Sequence, residues 1–484
     1  MDFLDPKKKK QHTIRLFVGY VLVGIALLMT TSFLVLESNG YFYDTKTHSV
    51  IKNGLIFVDS APDSATVYVN GKRQDTTDAR MVLPEGNYNI EISRDGYKTW
   101  EKSLKLEGGS IERLVYPFLF PEKPTLTTSK AYAGEPMFSS QSPDRRWVLV
   151  QPIAQSFVFD LYDLAVDPAI NTSLTIPATV VSVKPGSTLS LVEWSTDNRH
   201  VLLKHSFNSG HEYLMVDREA PAQSFNISAR LPGEVIDNIA LHDKKFDQFY
   251  LYKTAGGILS SYDNRSSLPV EIIRNVAVFK PHGADVIAYI STINPAKPQF
   301  IIREDGKNYI VRELPATTSF LVDIARFDNH WYTAVYATGS DMTYIYKDPV
   351  ASVKKINKPI TPLAVRQSII GFMSFSQNTR FMALQSVDGL VVYDFETLRL
   401  MRYQLPFATT SKLVWMDGHR LIGNNKSKLT VFDFDGSNKH EIIELSTQHL
   451  PFFDRDYENL LSIGKDPTNP TAFAMRRTPL KLKL

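Results

Sequence analysis

The chain has no cysteine among its 484 residues. That one absence excludes disulfide staples, thiolate zinc sites, iron–sulfur clusters and cysteine nucleophiles together, so the fold must rest on packing and backbone pairing. The signature loops of common chemistries are missing too: there is no G-x-S-x-G elbow, P-loop, H-E-x-x-H or G-x-G-x-x-G. His200 and His205 lie five apart on a predicted strand, hence on opposite faces, and cannot chelate one metal. Asp433-Phe434-Asp435-Gly436 lacks the further ligands of a calcium loop and reads, like Asp305-Gly306, as a hairpin turn. No catalytic, cofactor-binding or metal-ligating residue is therefore assigned, and no cofactor is expected.

Charge imbalance is almost absent where it would count. The formal +3 comes from residues 1–15, where five Lys/Arg face only Asp2 and Asp5; from residue 16 onward there are 49 bases and 49 acids. Without a basic stripe, nucleic acid is not an expected partner. One local exception is the C-terminus, where Arg476, Arg477, Lys481 and Lys483 follow the last acid, Asp466.

The first positive feature is the run from Leu16 to Leu36, 21 residues without a charge, thirteen of them Leu, Ile, Val or Phe. At 1.5 Å per residue such a helix crosses a hydrocarbon layer of ~30 Å. Each large apolar side chain favours insertion by roughly 0.3 to 0.6 kcal/mol. The run is longer than a signal-peptide core, and the following LESNGYFYD offers no small-x-small cleavage site. Lys7 to Lys10 and Arg15 precede it, whereas the first charge after it is Glu37. The positive-inside rule therefore predicts a cytoplasmic tail (1–15), a transmembrane helix (16–36) and everything later outside the cell membrane. Residues 37–52 read as a stalk. Within it Tyr41, Phe42 and Tyr43 form either an interfacial aromatic belt or the start of the next domain.

Residues 53–120 form short β runs broken by turn residues. Leu55–Val58, Ala65–Val69, Tyr88–Ile92, Thr99–Leu106 and Ile111–Leu119 are separated by Asn70-Gly71, Leu83–Asn87 and Asp95-Gly96. Asn-Gly is the strongest short hairpin signal, because both residues tolerate positive φ; Gly86 and Gly96 are expected in the same conformation. The pattern predicts a small antiparallel β sandwich. It resembles the PEGA domain family in Ser60-Ala61-Pro62, Val67-Tyr68-Val69-Asn70-Gly71, Pro84-Glu85-Gly86 and Gly96-Tyr97. Asn87 stands where the motif has alanine, and Thr76-Thr77-Asp78 where a Thr-Pro step is usual. The resemblance spans about 14% of the chain. It implies a binding or spacer module of prokaryotic surface proteins and supplies no catalytic residue.

After the Pro-rich joint Phe120–Pro124, residues 125–484 repeat one unit. An aromatic or large apolar residue precedes a polar turn, then an apolar strand, then a second strand ending in an acid. The opening residues are Phe138, Trp194, Leu241, Phe279, Phe327, Phe375, Trp415 and Phe453, spaced 56, 47, 38, 48, 48, 40 and 38 apart. The turns align as Ser142-Pro143-Asp144-Arg145-Arg146, Ser195-Thr196-Asp197-Asn198-Arg199 and Ser376-Gln377-Asn378-Thr379-Arg380, and the terminal acids as Asp160, Asp217, Asp394 and Asp433. A β period near 45 residues with no helix between copies predicts propeller blades, eight with seven as the alternative. Each blade leaves apolar faces that only its neighbours can cover, so the ring must close. The repeat resembles TolB-like and WD40-like propellers in architecture, which carries no activity with it. The alternating Pro479–Leu484 is expected to fasten the last blade.

These features predict a mainly β protein with one N-terminal transmembrane helix, Leu16 to Leu36. The function expected is non-catalytic: a cell-envelope recognition or scaffold protein that presents its propeller outside the cell to a glycan or partner protein. The alternative is an extracytoplasmic propeller enzyme acting on an envelope glycan through carboxylates at the channel mouth. Trp331, beside His330 and Tyr332, is the first candidate for ligand contact.

Overall fold

The structure, a computed structural model, describes residues 6–482 apart from 39, 45–48, 155, 267, 318, 341, 357–359, 368, 406, 408 and 410. It divides into two units, Met1–Lys123 and Pro124–Leu484, with 50% of residues in strand and 10% in helix.

Helix α1, Pro6–Ser38, carries the apolar run. Its segment Lys9–Ser38 has a mean hydropathy of 2.2 and leaves side chains such as Phe17, Leu22, Leu28 and Met29 exposed. A helix this long, apolar and exposed suits a bilayer, as an anchor or as a signal sequence.

Eight strands follow: β1 Tyr41–Asp44, β2 Ser49–Val58, β3 Thr66–Val69, β4 Lys72–Thr76, β5 Ala79–Pro84, β6 Gly86–Ser93, β7 Trp100–Leu106 and β8 Ile111–Leu114. One sheet sets β2 between β5 and β8; the other runs β4-β3-β6-β7. Ile56, Val58, Val67, Ile90, Ile92, Trp100 and Leu106 alternate inward and are fully buried, the large apolar ones each contributing about 1.5 to 3 kcal/mol. A Cβ on Gly54 would stand 2.6 Å from Leu106 Cγ, so glycine is what lets the two sheets close there. Asn70 and Gly71, at φ 50° and 75°, make the β3–β4 hairpin as expected.

Two expectations change here. The stalk is not separate: β1 pairs with the first half of β2, Tyr41 opposite Lys52 and Tyr43 opposite Val50, so these aromatics begin the folded domain. Residues 45–48 of that stalk lie outside the described residues. Gly86 has no positive φ; it opens β6, with the ring of Tyr88 3.6 Å from where a Cβ would stand.

Among the described residues the second unit contains eight four-stranded antiparallel sheets in chain order. Their first strands are Phe138–Gln141, Thr188–Trp194, Asn238–Leu241, Val276–His282, Phe320–Phe327, Phe372–Phe375, Val414–Trp415 and Phe452–Phe453, which number the sheets one to eight. Six of the repeat's opening residues end a first strand and Phe279 lies within one. Phe138 instead begins its strand, so Gln141 holds the equivalent place. Consecutive sheets stack face to face. Phe159 and Leu174 of sheet one pack with Trp194 and Val201 of sheet two, and shared cores likewise join two to three, three to four, four to five and five to six. Phe381 of sheet six stacks on Phe434 beside sheet seven at 4.2 Å, and Tyr457 of sheet eight donates to Met416 O at 3.0 Å.

Sheet eight has three strands of its own; its fourth is β9, Thr127–Tyr132, from the start of the unit, with Ala131 opposite Ala474. Its core includes Val148, Val150 and Tyr162 of sheet one. Tyr132 and Tyr162 share a hydroxyl hydrogen bond of 2.6 Å, and Lys130 Nζ donates to Asp160 Oδ1 at 2.7 Å. The fastening expected of Pro479–Leu484 is therefore made by β9. Pro479 ends a strand, Leu480 N donates to Glu458 O, and residues 483–484 lie outside the described residues. Of the C-terminal bases, the three among the described residues are held by the fold. Arg476 is buried, Arg477 pairs with Asp167, and Lys481 Nζ lies 2.8 Å from Glu458.

No helix was legible after residue 36, yet Pro349–Ile356 is one, between the third and fourth strands of sheet five. Val350 joins the core shared by sheets four and five, and Lys354 pairs with Glu304 at 3.0 Å.

Candidate functional site

The repeated turn explains itself in local hydrogen bonds. Ser142 Oγ accepts from Trp147 N at 3.0 Å and Asp144 Oδ1 from Arg146 N at 3.1 Å; Ser376 and Asn378 do the same for Phe381 and Arg380. The residue before the arginine takes the left-handed conformation, at φ 63° for Arg145, 55° for Asn198 and 59° for Thr379. The arginine then reaches the acid that ends the third strand, as in Arg146 with Asp163 (2.9 and 2.8 Å) and Arg199 with Asp217 (2.8 and 2.5 Å). Sheet one thus uses Asp163, three residues beyond the Asp160 aligned from sequence. The motif is spent on structure.

Arg145 is the exception. It stands in the turn of sheet one, but Nη2 donates to Gln377 Oε1 and to Met416 O, both at 2.5 Å, and the guanidinium lies 4.1 Å from the ring centroid of Tyr457. One side chain therefore joins the turns of sheets one, six, seven and eight. Burial holds Arg145 below its usual pKa, with Asp417 and Asp454 opposing that shift.

Beside this junction is a cavity of about 420 Å³, lined among others by Gln141, Arg145, Ser374, Gln377, Lys412 and Trp415. The indole Nε1 of Trp415 donates to Ser374 Oγ at 3.2 Å, which fixes the ring across sheets six and seven. Lys412 is open to water but walled by protein; partial desolvation lowers its pKa, and the charge of Asp323 opposes that. Asp323, on the first strand of sheet five, lies 3.9 Å from Lys280 Nζ on that of sheet four. Burial raises the Asp323 pKa, with Lys280 and Lys412 pulling the other way. Glu193 and Lys244 form a further ion pair between sheets two and three. The cavity brings together two cations, Arg145 and Lys412, from segments far apart in sequence, and the charge of Asp323 acts on the second of them.

The residues singled out from sequence lie elsewhere. Trp331 is half-buried, edge-on to His282 at 5.0 Å; His330 Nδ1 is 2.6 Å from Asp348 Oδ2; Tyr332 is core. His205 is fully buried between Ser187 and Glu212, 2.8 Å from each, while His200 meets Asp197 at 2.6 Å and stacks on Phe246. Asp433 Oδ2 accepts from Asn438 at 2.9 Å within a turn, and Asp305-Gly306 is a hairpin with both φ positive. Among the described residues no group of three or more His, Asp or Glu stands close enough to hold a metal ion. Arg145, Lys280, Asp323 and Lys412 had no sequence signal except that Arg145 occupies the repeated turn.

Residues 53–116 match the PEGA domain family. The matched span is the sandwich from β2 to just past β8. No curated protein matches the chain in sequence. Among solved structures it is similar to an uncharacterized protein of Listeria monocytogenes EGD-e (14% identity, 68% of this chain and 93% of that one, TM-score 0.42). It is also similar to the β-propeller domain of Cps50 (Swd1) from Myceliophteria thermophila (10%, 74% and 100%, 0.39) and to an oligogalacturonate lyase in complex with manganese (12%, 74% and 98%, 0.40). The likeness concerns the arrangement of strands and carries no chemistry to this chain.

Proposed function

We propose that the chain is a membrane-anchored, non-catalytic recognition or scaffold protein of the cell envelope. In this reading α1 is an uncleaved anchor with residues 1–15 in the cytoplasm. The PEGA sandwich and the eight sheets lie outside, and the sheets are the blades of one closed propeller that receives a glycan or a partner protein. The observation that carries the reading is the meeting of sheets one, six, seven and eight at Arg145 beside an open cavity. A ring centred there presents a rigid concave site, while the repeated Asp and Arg residues are committed to holding turns.

One observation favours an enzyme as second reading. Asp323 is a carboxyl that burial holds above its ordinary pKa, and its charge reaches Lys412 of the cavity lining; a raised carboxyl pKa is what a general acid needs. The two readings separate when the full-length protein in detergent is offered purified envelope material. Saturable binding with no released product supports recognition, and turnover abolished by Asp323→Asn supports the enzyme.

A further inference from the structure

The cavity beside Arg145 has a chemical bias that names a ligand class, and the inference rests on the recognition reading above. Among the described residues two cations, Arg145 and Lys412, and no acid line it; Lys280, whose charge reaches Lys412, stands outside the lining, 3.9 Å from Asp323. The two acids acting on Arg145 lie outside the lining and have partners of their own: Asp417 pairs with Arg420 at 2.6 Å, and Asp454 accepts from Asn459 at 2.8 Å. The cations also have donors to spare. Lys412 has no ion pair within 4.0 Å among the described residues, and the 3.9 Å gap from Lys280 to Asp323 is longer than a hydrogen bond. Arg145 directs both its hydrogen bonds through Nη2, so Nε and Nη1 have no acceptor among the described residues. The remaining lining is polar and aromatic: Trp415, stacked on Phe381 by its ring, is joined by Ser374 and by the amide groups not used in internal bonds, Gln141 Oε1 as acceptor and Gln377 Nε2 as donor for hydroxyls.

We propose that this cavity binds the anionic group, carboxylate or phosphate, of an envelope polysaccharide. The excess positive charge is local. It sits inside a chain that is neutral overall beyond residue 15, so its effect is confined to whatever enters the cavity.

The test titrates full-length protein in detergent at low salt with three probes: an oligosaccharide alternating glucuronic acid with N-acetylglucosamine, a short poly(glycerol phosphate), and a neutral N-acetylglucosamine oligomer. Saturable binding of either anionic probe, weakened by added salt, with none of the neutral one, is the expected result. The uronate alone assigns a carboxylate, the glycerol phosphate alone a phosphate, and both assign the shared anion chemistry. Lys412→Met should weaken binding roughly tenfold or more, and Lys412→Arg should restore most of it. Because Lys412 makes no hydrogen bond among the described residues, an unchanged melting temperature certifies the variant's fold; if it fails to fold, Lys280→Met serves instead. Equal binding of the neutral probe, or affinity unchanged in both methionine variants, overturns the proposal. Binding of whole envelope material with no binding of either anionic probe also overturns it, while leaving the recognition reading intact.

Discussion

Arg380 donates two parallel hydrogen bonds to Asp394, from Nε at 3.0 Å and from Nη2 at 2.7 Å. The pair fastens the first turn of sheet six to its last one. Asp394 is buried and also accepts from Glu396 N and Thr397 Oγ1, both at 2.9 Å, whereas Arg380 is partly exposed and has Glu396 as a second partner. Removing the arginine strands a buried carboxylate; removing the acid strands only a half-solvated guanidinium. Arg380→Met is therefore expected to cost about 3 kcal/mol and Asp394→Asn clearly less, measured by chemical denaturation. The reverse order would contradict this account of the pair.

Acid should weaken the same fastenings. Arg146 holds the Asp163 carboxyl below its ordinary value; at Asp217 and Asp394 burial opposes ionisation, but the arginine bonds outweigh it and those carboxyls are low too. A depressed folded pKa gives stability that is fully present above the unfolded value near 3.9 and is lost as pH falls through the folded value. Melting temperature should hold from neutrality to about pH 5 and fall below it, less steeply in Asp394→Asn. A wild-type curve flat to pH 3 would contradict the assignment.

Asp323 should behave in the opposite sense. Its raised pKa means that ionisation at neutral pH costs stability, so Asp323→Asn is expected to leave the melting temperature unchanged or to raise it. A fall of several degrees in calorimetry would instead make Asp323 a structural acid.

The pairing of β9 into sheet eight can be tested at its side chains. Asp160 is buried, and among the described residues Oδ2 has no hydrogen-bond partner while Oδ1 takes Lys130. Lys130→Met should destabilise by about 2 to 3 kcal/mol and speed proteolysis near residues 124–132. Protease resistance equal to wild type would mean that sheet eight does not depend on this strand.

The cysteine-free sequence makes topology simple to read. Gln11→Cys and Lys72→Cys, labelled in intact cells with a membrane-impermeant maleimide, should react at residue 72 at once and at residue 11 only after lysis. Labelling at residue 11 in intact cells would reverse the orientation.

Much of this fold is legible in sequence because its repeat is written in chemistry. The Ser-x-Asp/Asn-x-Arg turn and the strand-ending acid recur since every sheet solves the same backbone problem, and the apolar runs between them mark the strands. What escapes lacks that signal. β4 (Lys-Arg-Gln-Asp-Thr) and β9 (Thr-Thr-Ser-Lys-Ala-Tyr) are polar strands whose place comes from their partners. The alternating C-terminus imitates the fourth strand of the last sheet, which β9 supplies. The site is the least legible part: Arg145 and Lys412 line one cavity only because sheets one, six, seven and eight converge there, and no spacing along the chain encodes that.

The most direct measurement is the incubation of full-length protein in detergent with purified envelope polymer, following bound protein and released fragments together. Saturable binding with no fragment released is expected. Fragment release that scales with protein concentration, or no binding at any concentration, would contradict a membrane-anchored recognition protein.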